Sequence, residues 1–211
     1  MSKIAELAAA VERGRGKLVV GLVQEALAEG HAPVDILNQG MIDAMSVVGE
    51  KFKNNEIFVP EMLVAAKAMK KGVEVLRPHL TDGAATKLGK MAMGTVAGDL
   101  HDIGKNLVIM MVESTGYEVV DLGIDVPVET FMEAANDPAV TVVGVSALLT
   151  TTMAAMQETV AALNQHPRRS EFKIMVGGAP ITEAYAKEIG ADIYTEDAAS
   201  AGQAAKALAT A

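Results

Sequence analysis

Four histidines occur in this chain of 211 residues, and one of them, His101, stands between two aspartates in the stretch Gly98-Asp-Leu-His-Asp-Ile-Gly-Lys-Asn106. The stretch follows the apolar run KMAMGTV and leads into a helical pattern, so it occupies a turn from strand to helix. Phosphate binding matches it poorly. A Walker A loop reads G-x-x-x-x-G-K-[ST], whereas here five residues separate Gly98 from Gly104 and Asn106 replaces the hydroxyl residue. Two carboxylates in the loop would also repel a phosphate, and the dinucleotide pattern G-x-G-x-x-G is absent. A catalytic His–Asp pair needs a nucleophile within hydrogen-bond reach. Ser146 is a candidate, although no G-x-S-x-G elbow surrounds it. Ligation of a metal by one imidazole falls short of the three or four protein ligands that zinc takes. It is enough where the metal arrives inside a macrocycle, with Asp99 orienting the imidazole through its other ring nitrogen. A plainer reading also stands, in which the aspartates cap the following helix.

The elements that must position these residues change rhythm along the chain. Up to about residue 80 the pattern is helical. Amphipathic segments near Ile4–Val11 and Leu18–Ala28 precede a stripe of Leu37, Met41, Met45, Val48 and Phe52, with Pro33 in its first turn. A second stripe, Met62, Ala65, Met69, Val73 and Leu76, starts after Pro60. About four helices with short connections predict a small antiparallel bundle. The stretch Arg77–Lys90 reads as a linker rich in Pro, Gly and small residues. Beyond it, five short apolar runs (KMAMGTV, YEVVDLG, VTVVGVS, FKIMVGG and ADIYT) alternate with helical stretches. That alternation predicts a parallel, doubly wound sheet. In the flavodoxin-like order 2-1-3-4-5, ligands sit beyond the carboxyl ends of strands one and three. The loop of His101 and the segment from Ser146 would then flank one crevice. The expected organisation is therefore a helical cap over 1–80, a linker over 81–90 and an α/β domain over 91–211.

Composition narrows the function. A net charge of −9 disfavours nucleic-acid binding, which needs a basic face. There is no cysteine, hence no disulfide or thiolate metal site, as in a reducing compartment. The charged start of the chain lacks a signal-peptide core, and no apolar run approaches the roughly 20 residues of a membrane span. A cytoplasmic location with no membrane partner is the expectation. Thirteen methionines and 3% aromatics leave the packing to aliphatic side chains. Met41, Met45, Met62 and Met69 are expected in the bundle core, and His31, His79 and His166 in loops without a role.

DLHDIGKN, Asp99 to Asn106, resembles the D-x-H-x-x-G signature of cobalamin-binding domains. SALLTTT (Ser146–Thr152) is similar to that family's S-x-L segment after the third strand, and GGAP (Gly177–Pro180) to its G-G after the fourth. VGEKFKNNEIFVPEMLVAAKAMK resembles the helical cap of methionine synthase and of small corrinoid methyl carriers, and the chain ends where such subunits end. The resemblance implies a flavodoxin- or Rossmann-like domain beneath a four-helix cap, binding methylcobalamin or a related corrinoid. His101 would be the lower ligand to cobalt, base-off and histidine-on. Asp99 would hold it from behind, and Thr152 would stand where methionine synthase has a serine. Gly104 would let the nucleotide tail pass, with Asp102, Ile103 and Val108 beside it. Ser146, Leu148 and Thr150 would line the tail's slot. Gly177 and Gly178, near Tyr194 and Ala198, would admit its distal end. Phe52 and Val59 would shield the methyl group, under a cap able to swing aside on its linker.

The implied protein is no catalyst by itself. It is the methyl-carrying subunit of a one-carbon methyltransferase system. Its partners would be a substrate:corrinoid methyltransferase, a second methyltransferase using tetrahydrofolate or coenzyme M, and a reductive activase. The donor, whether methanol, a methylamine, a betaine or an aryl methyl ether, would be read by the partner enzyme. Two other classes share the signature. A cobalamin-dependent regulator would need an output module, for which this acidic chain leaves no room. The cofactor subunit of an adenosylcobalamin mutase would not need a four-helix cap. A hydrolase built on Ser146 stays open as well.

Overall fold

A computed structural model describes residues 2–80 and 89–209, which form two compact units. One comprises Met1–Thr86 with Ser114–Gly116, the other Lys87–Glu113 with Tyr117–Ala211. Of the expected linker, Arg77–His79 form a 3-10 turn, and residues 81–88 lie outside the described residues.

The first unit is all helical. Helix α1 (Lys3–Glu12) opens on Ser2, whose hydroxyl accepts the Ala5 N–H at 3.3 Å, and α2 (Gly16–Ala28) follows a glycine turn. The predicted third helix is divided into α3 (Pro33–Leu37), a π-turn over Asn38–Ile42 and α4 (Asp43–Lys53). A π-turn takes up an extra residue, so the buried stripe slips by one. Ile36, not Leu37, is fully buried ahead of Met41, Met45 and Val48, while Leu37 and Phe52 are only partly covered. The turn also brings Gly40 against Leu7, where an added Cβ would come within 2.6 Å of Leu7 Cδ2. Helix α5 (Val59–Leu76) begins with Glu61 accepting the Phe58 N–H at 3.1 Å. Met41, Met45, Met62 and Met69 are exposed by no more than 3%, so they are core, as expected from their spacing.

The second unit alternates strand and helix throughout: β1 (Lys90–Val96), α6 (Ile103–Glu113), β2 (Glu118–Val126), α7 (Val128–Ala134), β3 (Val140–Ser146), α8 (Met153–Asn164), β4 (Lys173–Gly177), α9 (Glu183–Glu188), β5 (Ile193–Thr195) and α10 (Ala198–Ala209). The strands pair in parallel in the order β2-β1-β3-β4-β5. Side chains alternate between two cores. Ala92, Val143, Val145 and Ile174 pack with Phe131, Met156, Val160 and Leu163 on one face. Met91, Met93, Val142 and Met175 pack with Val112, Ala201 and Ala205 on the other. Strand order reverses at β1, which has β2 on one side and β3 on the other, so the crevice beyond the ends of β1 and β3 is the topological switch point.

Two details depart from the sequence reading. Strand β2 does not stop at Gly123 but runs on to Val126, through register shifts against β1 and positive φ at Gly123 and Asp125. Such an irregularity re-aims a strand end. His166 is no free loop residue: it is buried, its Nδ1 accepts the Arg168 N–H at 3.1 Å, and its ring meets Phe172 edge-on at 5.6 Å. Among the described residues no helix is long and apolar enough to cross a membrane.

The helical core leaves no space at Gly72, where an added Cβ would stand 2.7 Å from Met41 Sδ and 2.8 Å from Val19 Cγ1. Gly72→Ala is expected to lower the unfolding free energy by about 1–3 kcal/mol through overpacking, measured by urea denaturation followed by circular dichroism.

Candidate functional site

Strand β1 ends in a tight turn in which the Asp99 N–H donates to the Val96 carbonyl at 3.1 Å. The turn carries the Asp99 side chain inward, where it is fully buried. One carboxylate oxygen, Oδ1, accepts the His101 backbone N–H at 3.1 Å and lies 2.9 Å from His101 Nδ1. The other, Oδ2, accepts the Leu148 N–H at 2.8 Å, the Leu149 N–H at 3.3 Å and the Thr152 hydroxyl at 2.8 Å. Burial pushes the Asp99 carboxyl up. The donors from Leu148, Thr152 and His101 outweigh it and hold the group well below the usual carboxylate range. Asp99 therefore does not cap α6, as the plainer sequence reading had it. It joins the loop after β1 to the loop after β3.

The ionised carboxylate also fixes the histidine. An acceptor-only partner requires Nδ1 to carry the hydrogen, which leaves the Nε2 lone pair of the neutral ring available. The His101 side chain is half exposed, and Nε2 has no hydrogen-bond partner among the described residues. Its backbone is held too, because the buried Thr95 hydroxyl donates to the His101 carbonyl at 3.0 Å. No cluster of three or more metal-ligating side chains occurs among the described residues, so a metal here would need most of its ligands from elsewhere. No hydrogen bond joins Ser146 to His101 among them either, which leaves a hydrolase without its nucleophile–base contact.

The surroundings suit a large apolar ring. Leu100, Ile103, Leu148 and Leu149 are 67, 78, 41 and 39% exposed, and all belong to the two loops that Asp99 joins or to the first turn of α6. A patch of exposed aliphatic side chains around one open imidazole is an energetic debit unless something apolar covers it. Gly104 gives the same indication. An added Cβ there meets no protein atom within 4 Å, so the protein itself does not require glycine in this first helical turn. Gly178 is the opposite case. Its φ is +133°, and a Cβ would fall 1.8 Å from the Ala147 carbonyl oxygen, so the fold demands glycine.

The remaining expected residues are distributed as follows. Asp102 precedes α6, Ile103 and Gly104 open it, and Val108 lies at its middle, packed against the core of Met91 and Val112, while Asp102 Oδ2 accepts the Asn106 side-chain amide at 3.2 Å. Ser146 and Gly177 pair across β3 and β4, and Thr150 is exposed in the 3-10 turn that ends at Thr152. Tyr194 lies on β5, at the sheet edge opposite β2, and Ala198 opens α10, which packs against β1 and α6 through Ala201 and Ala205. Phe52 and Val59 belong to α4 and α5 of the helical unit, both partly exposed. Four residues beside the histidine loop escaped the sequence reading: Thr95, Lys105, Asp121 and Asp125. Their signal was weak, since each reads as an ordinary strand or surface polar residue.

Two family models, each described as a B12 binding domain, match the chain, over residues 3–77 and 89–205. Dimethylamine corrinoid protein 3 of Methanosarcina acetivorans is 42% identical over 203 residues, covering 96% of this chain and 95% of that protein. The trimethylamine corrinoid protein of Methanosarcina barkeri is 42% identical over 193 residues, covering 90% of this chain and 89% of its own. Among solved structures, the methanol:cobalamin methyltransferase complex MtaBC from Methanosarcina barkeri gives a TM-score of 0.86 at 30% identity, covering 99% of this chain and 80% of that one.

Two outcomes follow from this geometry. Replacing Asp99 by Asn puts an amide donor against the Leu148 N–H and Thr152 hydroxyl, or against His101, and is expected to cost roughly 2 kcal/mol. Because the folded carboxyl is depressed, its contribution is complete above about pH 5 and is lost as pH falls below about 4, toward the folded value. Wild type and Asp99→Asn should thus converge in urea titrations at acid pH, and a constant gap down to pH 3 would contradict the assignment. For the glycines, Gly104→Ala should leave the cofactor-free stability unchanged or raise it by up to about 1 kcal/mol, whereas Gly178→Ala should lower it by at least about 2 kcal/mol, both read from thermal or urea unfolding.

Proposed function

Because the chain belongs to the B12-binding corrinoid proteins, we propose that it carries a methyl group on the cobalt of a bound corrinoid, receiving it from one methyltransferase and yielding it to another. The observation that carries this reading is His101 itself: Nδ1 is tied to a buried, ionised carboxylate, and Nε2 is open among exposed aliphatic side chains. When bound, the corrinoid supplies a cobalt centre nucleophilic enough to accept a methyl group and able to release it again.

The residues of this chain have separable tasks. His101 Nε2 would hold the cobalt, in place of the corrinoid's own base. Asp99 keeps the ring in the Nδ1–H tautomer and aims it, and Thr152 and the Leu148 N–H keep Asp99 ionised. With Asp99 held ionised and Nδ1–H directed at it, Nε2 is the ring atom that would be left to meet a metal. Leu100, Ile103, Leu148 and Leu149 exclude water from the lower face of the ring. Gly104, Ser146 and Thr150, with Gly177 and Gly178, make way for the nucleotide tail, and Asp102, Val108, Tyr194 and Ala198 border it.

The wider assignments belong to the same proposal. Residues 1–80 act as a cap, 81–90 as its linker and 91–211 as the cofactor domain, with Phe52 and Val59 shielding the methyl group. The protein works in the cytoplasm with a substrate:corrinoid methyltransferase, a second methyltransferase to tetrahydrofolate or coenzyme M, and a reductive activase. Relatives named for dimethylamine and trimethylamine, each aligned over at least 90% of this chain, support a carrier over a mutase subunit or a regulator.

The test is reconstitution with cobalamin. Wild type should show a base-off, histidine-on spectrum. His101→Ala should keep its fold and lose that spectrum at every pH, and Gly104→Ala should bind cobalamin about 10–100-fold more weakly. With methylamine- or methanol-specific methyltransferases and their donors, methylation should be visible by absorbance only for the loaded protein. Failure of wild type to take up any corrinoid would overturn the reading.

A further inference from the structure

Strand β2 lies at the edge of the sheet next to β1, and it contributes two carboxylates that the account above leaves without a task. Asp125 is one of two residues other than glycine with positive φ among those described, at +52°. That conformation is costly for a residue with a Cβ and persists only where surrounding contacts hold it. Here the contacts are specific. Its carboxylate Oδ1 accepts the Gly98 N–H at 2.7 Å, and its own N–H donates to the Asp99 carbonyl at 3.0 Å. Both peptides that enter the histidine loop are therefore fastened to the end of β2.

The loop's exit is fastened as well. Lys105 stands in the first turn of α6, where the helix dipole disfavours a cation, and its side chain is 2% exposed. A buried ammonium is tolerable only if paired and hydrogen-bonded. Asp121 Oδ1 is its ion-pair partner and also accepts the Gly123 N–H at 2.9 Å, while Asn106 Oδ1 takes the ammonium at 3.0 Å. A surface lysine in the same turn would spare the helix this cost, so the pairing does something other than add charge. It ties the start of α6 to β2, four residues beyond the ligand.

We propose that β2 is a clamp for the axial ligand: Asp125 at the entry of the loop and the Lys105–Asp121 pair at its exit are positioning residues that set the aim of His101 Nε2. This rests on His101 being the ligand. Neither carboxylate touches the imidazole. Each acts through the backbone between Gly98 and Lys105, whose placement must hold to about 0.5 Å for a ligating atom.

The experiment uses the full chain loaded with cob(II)alamin and reads nitrogen superhyperfine splitting by electron paramagnetic resonance, which reports histidine on the metal. Asp125→Gly keeps the positive φ and the backbone bond but removes the acceptor. Asp125→Asn keeps the acceptor, and Lys105→Met fills the buried site without charge. The histidine-on equilibrium constant should fall about tenfold in Asp125→Gly and Lys105→Met and stay at the wild-type value in Asp125→Asn. A merely structural role would lower thermal stability and leave this ratio unmoved. Wild-type ratios in Asp125→Gly would overturn the clamp, as would an equal loss in Asp125→Asn. If Lys105→Met does not fold, the two Asp125 variants decide the matter. An absence of splitting in wild type would instead sink the ligand assignment itself.

Discussion

A carboxylate with no exposed surface must be met by donors or give up its charge, and Asp99 is met by five: two from His101 and one each from Leu148, Leu149 and Thr152. Desolvation of an isolated ion would cost many kcal/mol, so the group remains charged only while the loops after β1 and β3 stand where they do. Three properties of the site descend from that one requirement. The two loops are locked together across the crevice, the histidine is forced into the tautomer with a free Nε2, and the group behind it stays anionic. A neutral amide at this position would keep the shape and the bonds on one side only, losing the charge together with either the loop lock or the fixed tautomer.

The sheet order explains why such a carboxylate can reach both loops. Because β1 lies between β2 and β3, the chain leaves it on one side and later returns on the other, and the two connections diverge at its carboxyl end. The divergence opens a crevice whose floor is made of backbone ends rather than side chains. Loops there can be held only by reaching across, which Asp99 does toward β3 and Asp125 toward β2. The irregular end of β2, with positive φ at Gly123 and Asp125, is the distortion needed to bring its last residues level with the loop.

Much of this was legible in the residues. The five apolar runs predict the strands because each is short and bounded by turn residues, and D-x-H-x-x-G marked the candidate site through its resemblance to the signature of cobalamin-binding domains. What could not be read has identifiable causes. The π-turn at Asn38–Ile42 hides in a stripe that fits an ordinary helix nearly as well, since Ile36 and Leu37 are equally apolar. Lys105 reads as a solvated charge, because sequence carries no mark of a lysine turned inward. The continuation of β2 past Gly123 was lost for a similar reason: Gly-Ile-Asp is an ordinary way to leave a strand. His166 lies in a loop as expected, but its burial could not be read because its partners, Asn136 and Phe172, come from separate connections.

The glycines separate what the fold needs from what a cofactor needs. Gly178 must lack a Cβ because the Ala147 carbonyl already occupies its place, so its glycine would be required in a protein with this backbone and any function. Gly104 has no such neighbour, and in a helical turn glycine forfeits up to about 1 kcal/mol relative to alanine. The same holds for Leu100 and Ile103, which face water where polar residues would dissolve better. Stability alone accounts for none of these three choices. A bulky, largely apolar ligand approaching close to the backbone accounts for all of them, and His101 supplies the one bond that such a ligand's metal would need from the protein.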